Sequence, residues 1–260
     1  MNTRLFDSVS FVGGGRVTRF LLEGWKQAGV GPSRILVCDP DTTVLSKLQT
    51  DFEEVRVIHL SEVGEAPLII LAVHPPVLET LLSKMKGHVL ESSTVLSLAP
   101  KVPIAAIQSA LGVRQVVRMI PNAPSAIGRG YNPLALAEDV SSVSAQQLVS
   151  LFAPWGESPM VPEGDLEAYA ILSAMGPTYM WFQWQTLRDL APRFGLTKEK
   201  ADETLLATIV GSAELLFAHG RDPERVQDMI PIKPLQPEEE MFRTAYSRRL
   251  TALYNKLRLS

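Results

Sequence analysis

Phe11-Val12-Gly13-Gly14-Gly15-Arg16-Val17-Thr18 follows a β-rich run and opens a helical one. Glycines at such a junction permit what other residues resist. Gly13 allows a tight turn, and Gly15 lets the backbone approach a pyrophosphate held at the positive N-terminus of the helix. The third position of the usual pattern is Thr18, which crowds the helix more than Gly or Ala but can still face a sheet. At the end of the next apolar run, Asp39 in Cys38-Asp39-Pro40-Asp41 stands where a carboxylate can accept from adenosine ribose hydroxyls. Together these residues predict a site for NAD or NADP that uses Gly13, Gly14, Gly15, Arg16, Val17 and Asp39. Asp39 favours NAD, whereas Arg16 is available to pair with a cofactor phosphate and keeps NADP open. The competing reading is structural: a tight turn explains the glycines, and Asp39 only begins a turn before Pro40. Asp41 is placed to cap a helix beginning near Thr43.

Such residues need a sheet to hold them. Residues 8–12, 34–38, 55–58, 68–73, 94–98 and 115–119 read as short strands. They alternate with helical patterns over about 17–28, 43–52, 77–86 and 104–111. Near-continuous apolar strands alternating with helices predict a parallel sheet covered on both faces. A Pro/Gly-rich stretch, 121–133, follows the last strand. After about Pro162 the pattern becomes helical: 165–193, interrupted by Gly176-Pro177, then 197–219 between Gly195 and Gly220, then 238–258. The last helix begins with Glu238, Glu239 and Glu240 and carries Arg243, Arg248 and Arg249 later, which suits its dipole. The expectation is an α/β, Rossmann-type dinucleotide-binding domain over 1–162 and an all-helical domain over 163–260, without internal repeats.

A net charge of -3 leaves no electrostatic footprint for nucleic acid or an anionic membrane. The longest apolar stretch, 67–73, is too short to cross a bilayer, and residues 1–10 lack a signal-peptide run. The single cysteine, Cys38, excludes an intrachain disulfide and suits a reducing cytosol, so the expected location is cytoplasmic. His59, His74, His88 and His219 show no metal-ligand spacing, and no metal site is expected. His74 follows Ala72-Val73 at the carboxyl end of a strand, where open α/β sheets bind ligands. Ala72, Val73 and His74 are therefore candidates for touching the cofactor, local hydrogen bonding by His74 being the alternative. Met180, Trp181, Phe182 and Trp184 read as core or subunit contact.

In this order the motifs resemble the pyrroline-5-carboxylate reductase family. Phe11-Val12-Gly13-Gly14-Gly15 is similar to its cofactor loop, and Leu71-Ala72-Val73-His74-Pro75 to its Ala-Val-Lys-Pro segment, with His74 for lysine. Val117-Arg118-Met119-Ile120-Pro121-Asn122-Ala123-Pro124, with Gly128 and Gly130, resembles the signature Arg-x-Met-Pro-Asn-x-Pro. Leu172-Ser173-Ala174-Met175-Gly176-Pro177-Thr178-Tyr179 resembles Leu-Ser-Gly-Ser-Gly-Pro-Ala-Tyr, and Thr208-Ile209-Val210-Gly211-Ser212-Ala213 the helix that follows. The resemblance implies a helical domain that interlocks with a second subunit, giving a homodimer, and hydride transfer from nicotinamide to a cyclic imine.

The departures lie on the substrate side. Where the family carries Ser-Pro-Gly-Gly-Thr-Thr to hold the substrate carboxylate, this chain has Asp228-Met229-Ile230-Pro231-Ile232-Lys233-Pro234-Leu235. Its prolines remove backbone donors. Ala174 and Met175 replace a small polar pair, and Ala99-Pro100-Lys101 replaces an Ala-Gly turn. Ser173, Asn122 and Tyr179 remain as polar groups for catalysis, and Lys233 is either a carboxylate partner or a solvated cation. The leading expectation is an NAD(P)-dependent oxidoreductase of a small imine or carbonyl substrate. The alternatives are a genuine pyrroline-5-carboxylate reductase with a divergent loop, and a non-catalytic cofactor-binding regulator with Met175 plugging the site.

Overall fold

The computed structural model describes residues 6–258. In its first part, strands and helices alternate: β1 (Ser8–Val12), α1 (Arg16–Ala28), β2 (Arg34–Cys38), α2 (Thr42–Asp51), β3 (Val55–Val57), β4 (Leu68–Leu71), α3 (Pro75–Met85), β5 (Thr94–Ser97), α4 (Ile104–Leu111) and β6 (Val116–Met119). Then come β7 (Gly130–Tyr131), β8 (Leu134–Leu136), α5 (Ser142–Phe152) and β9 (Gly156–Glu157). The main sheet has the order β3-β2-β1-β4-β5-β6-β8, parallel except for the antiparallel pairing of β6 with β8. The order reverses between β1 and β4, and ligands of open α/β sheets bind at the carboxyl ends of the strands beside such a reversal. Val9, Phe11, Leu36, Ile69, Ile70 and Leu96 are fully buried, as a sheet covered on both faces requires.

Local chemistry sets several boundaries. Asp41 caps α2, its carboxylate accepting from the amides of Thr43 and Val44 at 2.8 and 3.4 Å. Pro75 and Pro76 open α3, where a missing N–H costs nothing, so that helix starts earlier than the periodicity predicts. The β4 strand is shorter than the expected 68–73 because the chain turns at Ala72 to reach His74, the cap residue of α3. The antiparallel β8 and the helix α5 lie beyond the Pro/Gly-rich stretch 121–133, in residues for which the sequence reading names no element.

The chain divides by packing into two units, one running to Met175 with the end of the chain from Leu253, the other Gly176–Ala252. The compositional boundary at 162 falls earlier. Residues 163–174 stay with the sheet because Leu166 and Ala170, in the helical stretch α6 (Leu166–Tyr169) and a π turn (Ala170–Ala174), are buried in its core. The second unit is helical: α7 (Gly176–Leu190), α8 (Lys198–Phe217), α9 (Pro223–Asp228) and α10 (Glu239–Leu257), which runs on into the first unit's last residues. Within this unit Arg188 pairs with Asp202 at 2.6 Å, and the rings of Tyr179 and Tyr246 meet edge-on at 5.8 Å. The expected Glu239–Arg243 pair forms at 3.3 Å. Met180, Trp181, Phe182, Leu206, Val210 and Phe217 are exposed, which leaves wide apolar surface on α7 and α8.

The first unit also contains a tight aromatic joint. Trp155 is fully buried, stacks on Phe152 with ring centroids 4.7 Å apart, and donates from Nε1 to the carbonyl of Leu21 at 2.8 Å. It leaves no room beside Gly24: a Cβ there would fall 2.7 Å from Trp155 Cδ1 and closer still to the carbonyl oxygen of Ser125. Gly24→Ala is therefore expected to lower stability by about 1–3 kcal/mol, read as a lower urea midpoint with unchanged slope.

Candidate functional site

The glycine loop is built by backbone. Gly13 has φ +105°, and a Cβ on it would sit 2.5 Å from the carbonyl oxygen of Ala72. Its amide donates to Cys38 O at 2.8 Å, and Ala72 N donates to Val12 O at 2.8 Å, so the ends of β1, β2 and β4 are laced together here. Thr18 is fully buried and gives its hydroxyl to Gly13 O at 2.6 Å. The crowding expected of Thr18 is thus turned into a bond that fixes the loop. Asp39 completes the arrangement: Oδ2 accepts from Gly14 N at 2.8 Å and Oδ1 from Asp41 N at 2.9 Å. Gly15, the cap residue of α1, offers no side-chain cap, no acid lies in the first turn, and nothing lies within 4 Å of where its Cβ would be. The positive helix end therefore opens onto free space, the geometry an anionic pyrophosphate needs.

Cys38, beneath this loop, is buried, and burial first, then the nearby Asp39, pushes its thiol up to about 11. It is an unreactive core group.

Further along the carboxyl edge, β6 leads to Asn122. This side chain is buried and bridges two segments: Oδ1 accepts from Tyr131 N at 3.0 Å, and Nδ2 donates to Ser173 O at 3.4 Å. Pro177 has no N–H and so supplies no helical bond to that carbonyl. Just before this proline Met175 N reaches back to Ala170 O at 3.1 Å, closing the π turn. Ser173 gives its hydroxyl to Tyr169 O at 2.8 Å, so its oxygen is left as an acceptor.

Arg118 anchors this region. It is 1% exposed and forks onto Glu163 at 3.0 Å and Glu167 at 2.6 Å. Glu163 also accepts from Ile104 N at 2.7 Å, and Glu167 from Lys101 N at 3.1 Å. Lys101 is the one non-glycine at positive φ among the described residues, at +72°. The turn after β5, where the family has glycine by resemblance, is thus held left-handed by a buried carboxylate.

Of the sequence candidates, Gly13, Gly14, Gly15 and Asp39 come together with the start of α1. Arg16 is exposed there, and Val17 packs its side chain on the core, leaving only its backbone to the helix end. Ala72 and Val73 lie beside Gly13, and His74 is exposed without a capping bond. Asn122 and Ser173 meet. Tyr179 and Lys233 belong to the helical unit, where burial first, then Tyr246, raises the Tyr179 phenol. Sequence reasoning missed Asn132, whose Oδ1 accepts from Asn122 N at 3.1 Å and Ser125 Oγ at 2.8 Å. It also missed Glu163 and Glu167. The available signal was Arg118 itself, since a cation inside an apolar strand demands an acidic partner.

Residues 8–101 match the family described as NADP oxidoreductase coenzyme F420-dependent, and residues 163–233 match pyrroline-5-carboxylate reductase dimerisation. The pyrroline-5-carboxylate reductase of Methanosarcina acetivorans is 27% identical over 86% of this chain and 84% of its own. That of Pseudomonas aeruginosa is 25% identical over 84% and 81%. Among solved structures, the Coxiella burnetii pyrroline-5-carboxylate reductase aligns with TM-score 0.72 and 25% identity over 96% of both chains. The Plasmodium falciparum pyrroline carboxylate reductase with NADP bound aligns at 0.79 and 21% identity, again over 96% of both chains, and shares the fold. Fold and site define an NAD(P)-binding oxidoreductase domain joined to a helical dimerisation domain. The chain is similar to pyrroline-5-carboxylate reductases over most of its length.

Removing the cation from the buried cluster leaves two carboxylates facing each other, so Arg118→Met is expected to cost about 3–5 kcal/mol in chemical denaturation. Lys101→Gly relieves the left-handed strain and is expected to raise stability by up to about 1 kcal/mol in the same assay.

Proposed function

We propose that this protein is an NAD(P)H-dependent reductase of a small imine or carbonyl compound, acting as a cytoplasmic homodimer. The observation that carries the reading is the uncapped start of α1, open beside a backbone junction at which no side chain fits. When bound, the reduced nicotinamide supplies the hydride. The amides of Gly15, Arg16 and Val17 at the helix end, with Asp39 and the Gly14 it braces, are assigned to the adenosine and pyrophosphate part. Ala72, Val73, His74 and Asn122 are assigned to the cofactor nearer the chemistry.

Hydride transfer to an already electrophilic carbon asks the protein mainly for orientation, exclusion of water and a proton. Asn122 and Ser173 are assigned to orienting the reacting partners, because their hydrogen bonds fix both segments. Tyr179, whose raised phenol stays protonated at neutral pH, is assigned as a donor, and Lys233 as a partner for substrate charge. The exposed apolar faces of α7 and α8 support a dimer, in line with the dimerisation family matched at 163–233.

The stretch after α9 bears on the substrate. Met229, Ile230, Ile232 and Leu235 are all more than half exposed, and Pro231, Pro234 and Pro237 bring no N–H. Apart from Lys233, such a stretch is poor in donors for a carboxylate, which favours a substrate other than pyrroline-5-carboxylate. The names and coverage of the curated relatives favour the proline-forming reaction instead.

Purified protein is expected to quench on titration with reduced dinucleotide and to oxidise it with at least one member of a panel of cyclic imines, ketones and 2-oxo acids. Faster turnover with pyrroline-5-carboxylate than with any other member selects the proline-forming reading. Binding without turnover selects a regulator, and absence of binding at millimolar dinucleotide sinks all three. Gly13→Ala, strained at φ +105° and set against Ala72 O, is expected to abolish binding. Sedimentation is expected to give a dimer.

A further inference from the structure

We infer that the dinucleotide taken by this chain is NAD(H) rather than its 2′-phosphorylated form, and that Asp39 makes the choice. The inference rests on the dinucleotide reading above and narrows it. Both oxygens of Asp39 are held, Oδ2 by Gly14 N and Oδ1 by Asp41 N. The carboxylate is therefore fixed at the end of β2, against the glycine loop. It cannot swing aside for a phosphate without orphaning two amides. A carboxylate offers about four acceptor positions, so two remain for the vicinal hydroxyls of a ribose, which are donors.

The surroundings give a phosphate nothing in exchange. Between Asp39 and Ser46 the chain reads Asp-Pro-Asp-Thr-Thr-Val-Leu-Ser, with no Lys or Arg. Asp41 is fully exposed, and the amides of Thr43 and Val44 keep its carboxyl below the ordinary aspartate range, so it remains a second negative charge there. Lys47 is the first cation after this run, and it already faces Asp41. His59, after β3, begins the next turn, its amide donating to Glu62 Oε2 at 2.7 Å. Arg16 stands at the first position of α1 rather than at the end of β2, and is assigned to a phosphate common to both dinucleotides. A 2′-phosphate would add about two negative charges to this acidic corner, and rejection by unpaired like charge is an effective way to build specificity.

The test is binding, followed by fluorescence transfer from the protein's tryptophans to NADH or NADPH on the full chain. NADH is expected to bind at least about tenfold more tightly. Asp39→Asn keeps the shape and an acceptor oxygen while removing the charge. It is expected to bring the ratio within about threefold, mainly through tighter NADPH binding. Arg16→Ala is expected to weaken both dinucleotides equally. Competition against bound NADH by AMP and 2′-AMP on the unaltered protein needs no variant, and AMP is expected to win. Equal or tighter binding of NADPH, better competition by 2′-AMP, or an unchanged ratio in a folded Asp39→Asn protein overturns the inference alone. Failure to bind either dinucleotide overturns the functional reading and this inference together.

Discussion

Gly13 meets the carbonyl of Ala72 across the point where the strand order reverses, and no side chain larger than hydrogen fits between them. From that contact the rest of the cofactor half follows. With β1 and β4 drawn together, the chain must turn left-handed at Gly13, and its amide is then directed to Cys38 O. The turn aims α1 so that its first amides face the gap rather than the sheet. Thr18, one turn into that helix, faces the sheet instead and ties the loop down through Gly13 O. Asp39 braces the same loop from β2. Each of these bonds uses a backbone group that the tight junction would otherwise leave buried and unpaired, so they stand or fall together.

A second constraint governs the far end of the carboxyl edge. Arg118, Glu163 and Glu167 are an expensive arrangement, since desolvating three charges offsets most of their mutual attraction. Arg118 Nε and Glu167 Oε2 even remain buried without a partner. What the cluster supplies is position. It joins the end of β6, the start of α4, the strained turn at Lys101 and the helical segment 163–174 through one set of oriented bonds. Asn122 and the π turn at Ser173 are held in register as a result, and both belong to the segments on which substrate handling is proposed.

Local features were legible in the sequence where their cause is local. The Asp41 cap, the αL glycine at Gly195 and the Glu239–Arg243 pair each involve residues a few positions apart, and each forms. The apolar strands of the parallel sheet were legible for the same reason. By contrast β8 is only Leu134–Leu136, too short for a period to register, and it is recruited by pairing with β6. In α5 the serines weaken helix propensity, and the helix stands on the Ser141 cap and burial of Leu148 and Phe152. The partners of Arg118 lie 45 and 49 residues away. No window-based pattern contains both ends of such a bond, although the buried cation announced that a partner had to exist.

This difference explains why the two halves of the site differ in clarity. The cofactor half is made chiefly of main-chain amides, a glycine conformation and a helix end. Such features depend on few side chains, and substitution at those few is forbidden by sterics. The substrate half depends on side chains that touch a particular molecule, and these can be exchanged without disturbing the sheet. The proline-rich stretch around Lys233 is proposed as such an exchange, apolar and poor in donors where the resemblance implies hydroxyls and amides, and no strand or core residue of the first unit has to change. Asp39 stands between the two cases. Its brace on Gly14 is structural, while its charge selects among ligands, and only the second role is free to vary with the chemistry the protein performs.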